Sequence, residues 1–469
     1  EARTGFGSDL VIVPAPPHIE ADYGIQLSRL AGRTGQDPLE LAGTLATALS
    51  EGDIPIFENV VAQGPYLNIR IEMGVFGTQV VDQVLQMGEA YGKENLGQGR
   101  NVVIDMSSPN IAKRMSYGHL RSTIIGDALS NIYRSEGFET IRDNHIGDWG
   151  TQFGKLIVAI KRWGDVSSLL RSDDPIGELQ TLYVRFHEEA ELESKEIRGE
   201  LQKRVQRSGV DAVPRLQETM DAIGQEIMRR KKLNPKDLDM EKIQEDALDI
   251  LAEPQLEREG REWFLKLEQG NPDAKRLWKI CIDLSLKEFN EVYRLLGVDF
   301  EKSLGESFYE NMLEAVIKEV RESGAGQMSD GALVVDMNDK KLGVSIVQKS
   351  DGASVYMTRD LATAIYRQRE MKADRAIYVV GEDQKLYFRQ LFEILKRLGH
   401  SIGERSEHVY FGMVSLPEGK MSTRKGRTVH LMDVIQEGLR RTEVVLREKN
   451  ADLYRDKQTR ERVVRQIAI

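Results

Sequence analysis

The spacing of apolar positions changes period several times along this chain, and each change predicts an element. Leu10 to Val13 and Tyr66 to Ile71 read as strands around an alanine- and leucine-rich helix from Pro38 to Ser50, so residues 8 to about 75 form a small α/β unit. A helix near Val75 to Met87 and the glycine-rich stretch Gly88 to Gly99 lead into Val102-Val103-Ile104-Asp105, which reads as a short buried strand. Leu120, Ile124, Ile125, Ala128, Leu129 and Ile132 then recur at helical spacing. From 101 to about 160 the order is strand (Val102 to Asp105), helix (Arg121 to Glu136), strand (Glu139 to Asn144) and helix (Gln152 to Trp163). That alternation predicts a doubly wound parallel sheet, whose ligands sit at the carboxyl ends of the strands, where Ser107 to His119 and Asn144 to Gly150 fall. Residues 165 to about 300 are charged, helix-prone and poor in strand signals, and Ala190 to Pro254 reads as a helical insertion. The sheet is expected to resume with Gly343 to Lys349, Ser354 to Met357 and Ala376 to Val380, and a final strand and turn, Val409 to Leu416, delivers a loop at Lys420. After Val429 the period is helical throughout, and the text stops inside an amphipathic pattern without a C-cap, which predicts a truncated helical region.

Composition narrows this picture. A chain of 469 residues exceeds one ordinary domain, so roughly two to four are expected. The net charge of −10 excludes a uniformly basic nucleic-acid binder, so a nucleic-acid partner would need a local basic face. Lys420 to Arg427, Arg440-Arg441 and Arg460 to Arg465 are candidates, the last two reading equally as solvated helix faces. Cys281 is the single cysteine, which excludes an intrachain disulfide or a cysteine-cluster metal site; among Leu277, Trp278, Ile280 and Leu284 it reads as core packing. No signal peptide or long apolar span is visible, so no membrane and a soluble reducing compartment, the cytoplasm, are expected. The chain begins at Glu1 without methionine, which leaves a targeting segment open.

Chemistry enters where the first strand turns into its helix. Gly118-His119 sits at a helix N-terminus, whose unpaired N–H groups and dipole suit an anion, phosphate above all. Some three hundred residues later, Lys420-Met421-Ser422-Thr423-Arg424-Lys425 lies between Gly419 and Gly426, a cationic loop able to close over a polyphosphate. Together they predict a nucleoside triphosphate held between two distant parts of the chain.

These motifs resemble the HIGH and KMSKS signatures of class I aminoacyl-tRNA synthetases. The flanking text, Ser107-Ser108-Pro109-Asn110-Ile111-Ala112-Lys113, Leu120-Arg121-Ser122-Thr123-Ile124-Ile125-Gly126 and Asn144-His145-Ile146-Gly147-Asp148-Trp149-Gly150, resembles the arginyl-tRNA synthetases over most of residues 10 to 469. The resemblance implies a Rossmann-like α/β fold: an appended tRNA-contacting α+β domain at 1–80, catalytic halves at 81–164 and 331–428, a helical insertion and connective region at 165–330, and the start of a stem-contact and anticodon-binding region at 429–469. It also implies ATP as substrate with magnesium held mainly by its own oxygens and water, arginine and tRNA(Arg) as partners, and a monomer.

Site residues follow from the same source. His119, Ser116 and Gly118 would hold ATP phosphates and adenosine, with Lys113 adding a cation. Lys420 and Arg424 or Lys425 would neutralise the leaving pyrophosphate, with Ser422 donating a hydrogen bond. Recognition of arginine demands a carboxylate facing a guanidinium; Tyr356 and Asp360 match the family positions that bind the substrate side chain, although Asp360 read alone is a helix N-terminal charge or cap. Asn110 and Gln384 match the positions holding the α-amino group, assisted by Asp105 or Ser107. Gly381 and Asp383 suit ribose hydroxyls, and Met413 and Val414 bracket adenine or form an ordinary core strand. Asp148, Trp149 and Gln152 line the cleft or hold its wall. Three departures stand out: Ser116 replaces the first histidine of the signature, Arg114 stands where proline is usual, and Tyr387 replaces a frequent histidine. They leave two alternatives, a paralogue activating an amino acid for another transfer and a non-catalytic RNA-binding homologue.

Overall fold

The computed structural model describes residues 10–231, 234, 237–412, 415–416, 419–420, 429–449 and 456–469, with backbone alone at 230, 231, 415, 416, 419 and 420. Met413, Val414, Ser422, Arg424 and Lys425, and the side chain of Lys420, lie outside them. Two compact units divide the chain, Glu1–Lys93 and Glu94–Ile469. Among the described residues no helix is long and apolar enough to cross a membrane.

The first unit runs β1 (Val11–Pro14), β2 (Tyr23–Gln26), α1 (Ser28–Thr34), α2 (Pro38–Glu51), β3 (Phe57–Gln63), β4 (Tyr66–Ile71) and α3 (Met73–Met87). Its antiparallel sheet has the order β1-β2-β4-β3. α2 starts where Asp37 accepts hydrogen bonds from the N–H groups of Leu39 (2.8 Å) and Glu40 (3.1 Å), with Pro38 at the first helical position. Leu41, Ala42 and Ala46 on its inner face pack against Leu27, Ala31, Val60, Leu67 and Ile69. Two more strands than expected appear because β2 and β3 bury only Gly24 and Val60, too little for a period-two signal.

The second unit opens with β5 (Asn101–Asp105), α4 (Tyr117–Ser135), β6 (Glu139–Asp143), α5 (Thr151–Trp163) and α6 (Val166–Leu169). A helical stretch follows: α7 (Pro175–Ser208), α8 (Leu216–Lys231), α9 (Met240–Leu251), α10 (Gln255–Glu268), α11 (Pro272–Leu296) and α12 (Leu313–Glu322). Val213, Leu216, Met220, Ile243, Ala247 and Leu248 give the insertion a core of its own. α5 and α10 approach backbone to backbone, since a Cβ on Gly154 would lie 1.9 Å from the Gly260 carbonyl oxygen. Cys281 is buried in α11, as its apolar neighbours predict.

Two corrections follow. β7 (Gln327–Ser329), β8 (Ala332–Asp336) and β9 (Val344–Gln348) form a separate antiparallel sheet, so the strand at 343–349 does not belong to the parallel one. β9 leaves Val344 and Ile346 exposed, a one-sided pattern that antiparallel pairing tolerates and a parallel sheet covered on both faces does not. Ser354 to Met357 is not a strand but the entry to α13 (Tyr356–Arg369), where the Val355 N–H donates to Thr358 Oγ1 at 3.2 Å; a short apolar run does not distinguish a strand from a buried helix start.

The remainder is β10 (Ala373–Gly381), α14 (Lys385–Arg397), α15 (Ile402–Arg405), β11 (Ser406–Phe411), a ribbon of β12 (Ser415–Leu416) and β13 (Gly419–Lys420), α16 (Leu431–Lys449) and α17 (Lys457–Ala468). The expected strand at 409–416 is thus split between β11 and the ribbon. The parallel sheet has the order β11-β10-β5-β6, with Tyr378 beside Asp105. Val102, Val103 and Ile104 are fully buried, which explains their unbroken apolar run. The chain leaves β5 toward β6 on one side and β10 toward β11 on the other, so the topological switch lies between β5 and β10, where open sheets of this kind bind ligands.

Candidate active site

Between β5 and α4 the backbone enters the left-handed region at three non-glycine residues, Ser107 (φ 67°), Ser108 (φ 50°) and Ala112 (φ 58°). Such conformations cost about 1 kcal/mol or more each and persist only where the surroundings impose them. The Ser107 N–H donates to Ser122 Oγ (2.9 Å), which donates to the Val379 carbonyl (2.6 Å). Ser107 Oγ meets Tyr293 Oη at 2.8 Å, and the Ser108 and Ala112 N–H groups donate to Asn144 Oδ1 (3.2 Å) and Ser285 Oγ (2.8 Å). Pro109 and Ile111 pair with Gly147, where a Cβ would strike Asn110 Oδ1 at 2.1 Å. Asn110 itself is left exposed.

Ser116 is the N-cap of α4, and Gly118 and His119 are its second and third residues. The Ser116 N–H donates to His119 Nδ1 at 2.9 Å, with Ser116 Oγ 3.1 Å from the same nitrogen. With Nδ1 accepting, the neutral ring carries its proton on Nε2. Burial pushes the His119 pKa down to about 4, so the ring is a neutral Nε2–H donor at physiological pH. A Cβ on Gly118 would meet only Ser116 Oγ, at 3.5 Å, so packing within the chain does not account for that glycine. The Lys113 ammonium lies over the Tyr183 ring, 5.5 Å from its centroid. Arg114 pairs with Asp174, whose carboxylate also caps α7 through the Gly177 N–H (3.0 Å), so this departure fastens the loop to a helix start.

Tyr356 opens α13 and is 68% exposed; Asp360, four residues on, shares its helix face. Asp360 accepts a hydrogen bond from Tyr387 Oη. Burial raises the Asp360 pKa, against the pull of His145 and of the Tyr387 hydrogen bond. Gly381 ends β10, with Asp383 and Gln384 exposed in the following turn. Asp105 faces inward: Oδ1 accepts from Ser108 Oγ (2.9 Å) and Oδ2 from Arg367 (2.8 Å). Asp148 accepts from the Ser307 N–H (2.8 Å) and hydroxyl (2.6 Å), and Trp149 stacks edge-on against Phe264 and Trp278.

Glu306 escaped the sequence reading. It starts a 3-10 turn, Glu306–Met312, far from any recognised motif, and no spacing rule singles it out. Burial pushes its pKa up to about 7, opposed by His145 and Arg359 and reinforced by Asp360 and Asp148. Tyr293 and the buried group Asp105–Arg367–Asp143 were likewise invisible, since their partners come from distant segments.

Comparison with known proteins fits this geometry. Residues 80–469 match the model of the family described as tRNA synthetases class I (R), catalytic domain, and residues 3–71 that of the arginyl tRNA synthetase N-terminal domain. The arginine–tRNA ligase of Halothermothrix orenii is 39% identical over 444 residues, covering 95% of this chain and 67% of that protein. That of Clostridium botulinum is 37% identical over 459 residues, covering 98% and 69%. The crystal structure of arginyl-tRNA synthetase from Plasmodium falciparum shares the fold, with a TM-score of 0.63 at 22% identity over 98% of this chain and 68% of that one. With a family model running from residue 80 to 469 and relatives this similar along nearly its whole length, the chain belongs to the arginyl-tRNA synthetases, class I ligases that use ATP to join arginine to tRNA.

Proposed function

We propose the following division of labour in the arginine–tRNA ligase reaction. ATP lies along the carboxyl edge of β5 and β10 with its phosphates at the N-terminus of α4, where His119 donates from Nε2 and Ser116 and the first-turn N–H groups add further donors. Gly118 admits the adenosine close to the backbone, Gly381 and Asp383 take the ribose hydroxyls, and Met413 and Val414 bracket adenine. Lys113, Lys420, Ser422 and Arg424 or Lys425 neutralise the pyrophosphate as it leaves. Asp360, Tyr356 and Glu306 receive the guanidinium, and Asn110 and Gln384 the α-amino group. Asp105 and Ser107 act from behind, by holding the strained loop through Ser108 and Tyr293.

The arginine carboxylate attacks the α-phosphorus, and the bond to the bridging oxygen of pyrophosphate breaks. No proton has to move, so positioning and charge neutralisation supply the rate. A terminal ribose hydroxyl of tRNA then attacks the adenylate carbonyl and expels AMP. Magnesium would accompany the triphosphate, held mainly by phosphate oxygens and water. Residues 1–80 contact tRNA, 81–164 and 331–428 form the catalytic halves around the helical region 165–330, and 429–469 begins the stem-contact and anticodon-binding region. The enzyme acts as a monomer in the cytoplasm.

The observation that carries this reading is His119 at the N-terminus of α4, its tautomer set by the Ser116 N–H. Supplied with ATP, arginine and a tRNA pool, the protein forms arginyl-tRNA and no product with lysine or citrulline. His119→Ala lowers kcat by ~10²–10³-fold, the usual effect of deleting one preorganised donor, with the KM for arginine little changed. A variant keeping a third of its activity would remove His119 from the reaction.

The raised pKa of Glu306 sets a pH dependence. Below pH 7 the carboxyl is protonated and neutral; above it the anion attracts the guanidinium. The KM for arginine therefore falls as pH rises from 6 to 8, by up to about tenfold per unit on the acid side. Glu306→Gln flattens that slope, and an unchanged slope would assign it to another group.

A further inference from the structure

Ser116 stands where the class I signature carries its first histidine, and His430 lies directly across from it. The Tyr117 N–H donates to the Val429 carbonyl (3.1 Å) and the Leu431 N–H to the Met115 carbonyl (2.8 Å), so Ser116 and His430 form an isolated antiparallel bridge. Both bonds join the flanking residues rather than the pair itself. In such a non-hydrogen-bonded pair the facing side chains come closest, with Cα atoms ~4.5 Å apart. Met115 (2% exposed) and Leu431 (0%) are buried in one core cluster and anchor the bridge from both strands. Alternation along extended backbone then puts Ser116 and His430 together on the opposite face, beside the first turn of α4 and His119.

The His430 ring keeps one nitrogen unpaired among the described residues. Its Nδ1 is buried and, among the described residues, has no hydrogen-bond partner. Buried polar nitrogens are nearly always paired, and a ring retained in this state beside an anion-binding helix start has a role outside the packing.

We propose that His430 supplies the second imidazole of the triphosphate cradle, replacing across the bridge the histidine that Ser116 lacks, and donates a ring N–H to a phosphate oxygen of ATP alongside His119. The inference rests on the reading of the α4 N-terminus as the ATP site. It explains how this chain tolerates serine at 116: the donor has moved to a facing strand without leaving the site.

A four-protein cycle tests it: the unaltered protein, His430→Ala, Ser116→His and the double variant, assayed for charging, for binding of a non-hydrolysable ATP analogue, and for unfolding midpoint. His430→Ala is expected to lower kcat by ~10²-fold, as for loss of one preorganised donor, with the KM for arginine unchanged and the protein folded. His430→Asn, which keeps an N–H donor, retains more activity. Adding Ser116→His to His430→Ala recovers most of the loss, which a merely structural histidine would not permit. Charging by His430→Ala close to that of the unaltered protein, or a loss that Ser116→His does not rescue and that follows unfolded protein, overturns the proposal. Failure of the unaltered protein to bind the analogue overturns the ATP-site reading itself, and the inference with it.

Discussion

Asp360→Ala raises the KM for arginine by two to three orders of magnitude, while ATP binding stays within about twofold. The guanidinium is a permanent cation, and a partly buried carboxylate is the acceptor that matches its fork. Removing one member of such a charged pair costs roughly 2–5 kcal/mol in binding, much of it from leaving the other charge unpaired. Every 1.4 kcal/mol is a factor of ten, so the expected range brackets a hundredfold to a thousandfold. The effect on folding is small or favourable, because burial disfavours the Asp360 anion in the free protein, as its raised pKa records. Among the described residues Tyr387 is the direct partner that loses its acceptor. Asp360→Asn separates charge from shape: it keeps a hydrogen-bond acceptor for Tyr387 and shows nearly the same rise in KM. Steady-state charging across arginine concentrations reads the result, and a KM within threefold of the starting value would move the guanidinium elsewhere.

Arg367→Met produces the largest loss of stability. Arg367 is wholly buried, with Nη2 2.8 Å from Asp105 Oδ2 and from Asp143 Oδ2, and its guanidinium lies over the Tyr378 ring at 5.2 Å. Methionine fills similar space, but two buried carboxylates lose the one cation paired with them among the described residues. Breaking a buried ion pair from one side costs about 3–5 kcal/mol. Asp105→Asn and Asp143→Asn added to Arg367→Met recover much of the loss. Denaturant unfolding measures this; a deficit under 1 kcal/mol contradicts it. Charging should fall too, because Asp105 also ties down Ser108 in the strained loop.

Much of the proposed site was legible because its signals are local. A strand run into Gly118-His119 identifies a helix N-terminus, and the ordered flanking text identifies the family, since both depend on neighbours along the chain. The same locality explains the misreadings: the segment 354–357 looked like a strand because four apolar-rich residues carry no period long enough to decide, and its helical start depends on Thr358 bonding to Val355. Strand 343–349 was recognised but put in the wrong sheet, because its partner β8 could not be inferred from its own alternation.

What chain order could specify, then, was element type, the turn into α4 and the residue types that arginine and ATP demand. What folding added was company. Glu306 acquires its raised pKa from burial and from charges carried on other segments, Ser107 finds Tyr293 across 186 positions, and Asp105 finds Arg367 across 262. Desolvation and pairing are sums over spatial neighbours, and no window along the sequence contains them. Ser116 is the plainest case: on the page of letters it is a missing histidine, and in the folded chain it stands opposite His430.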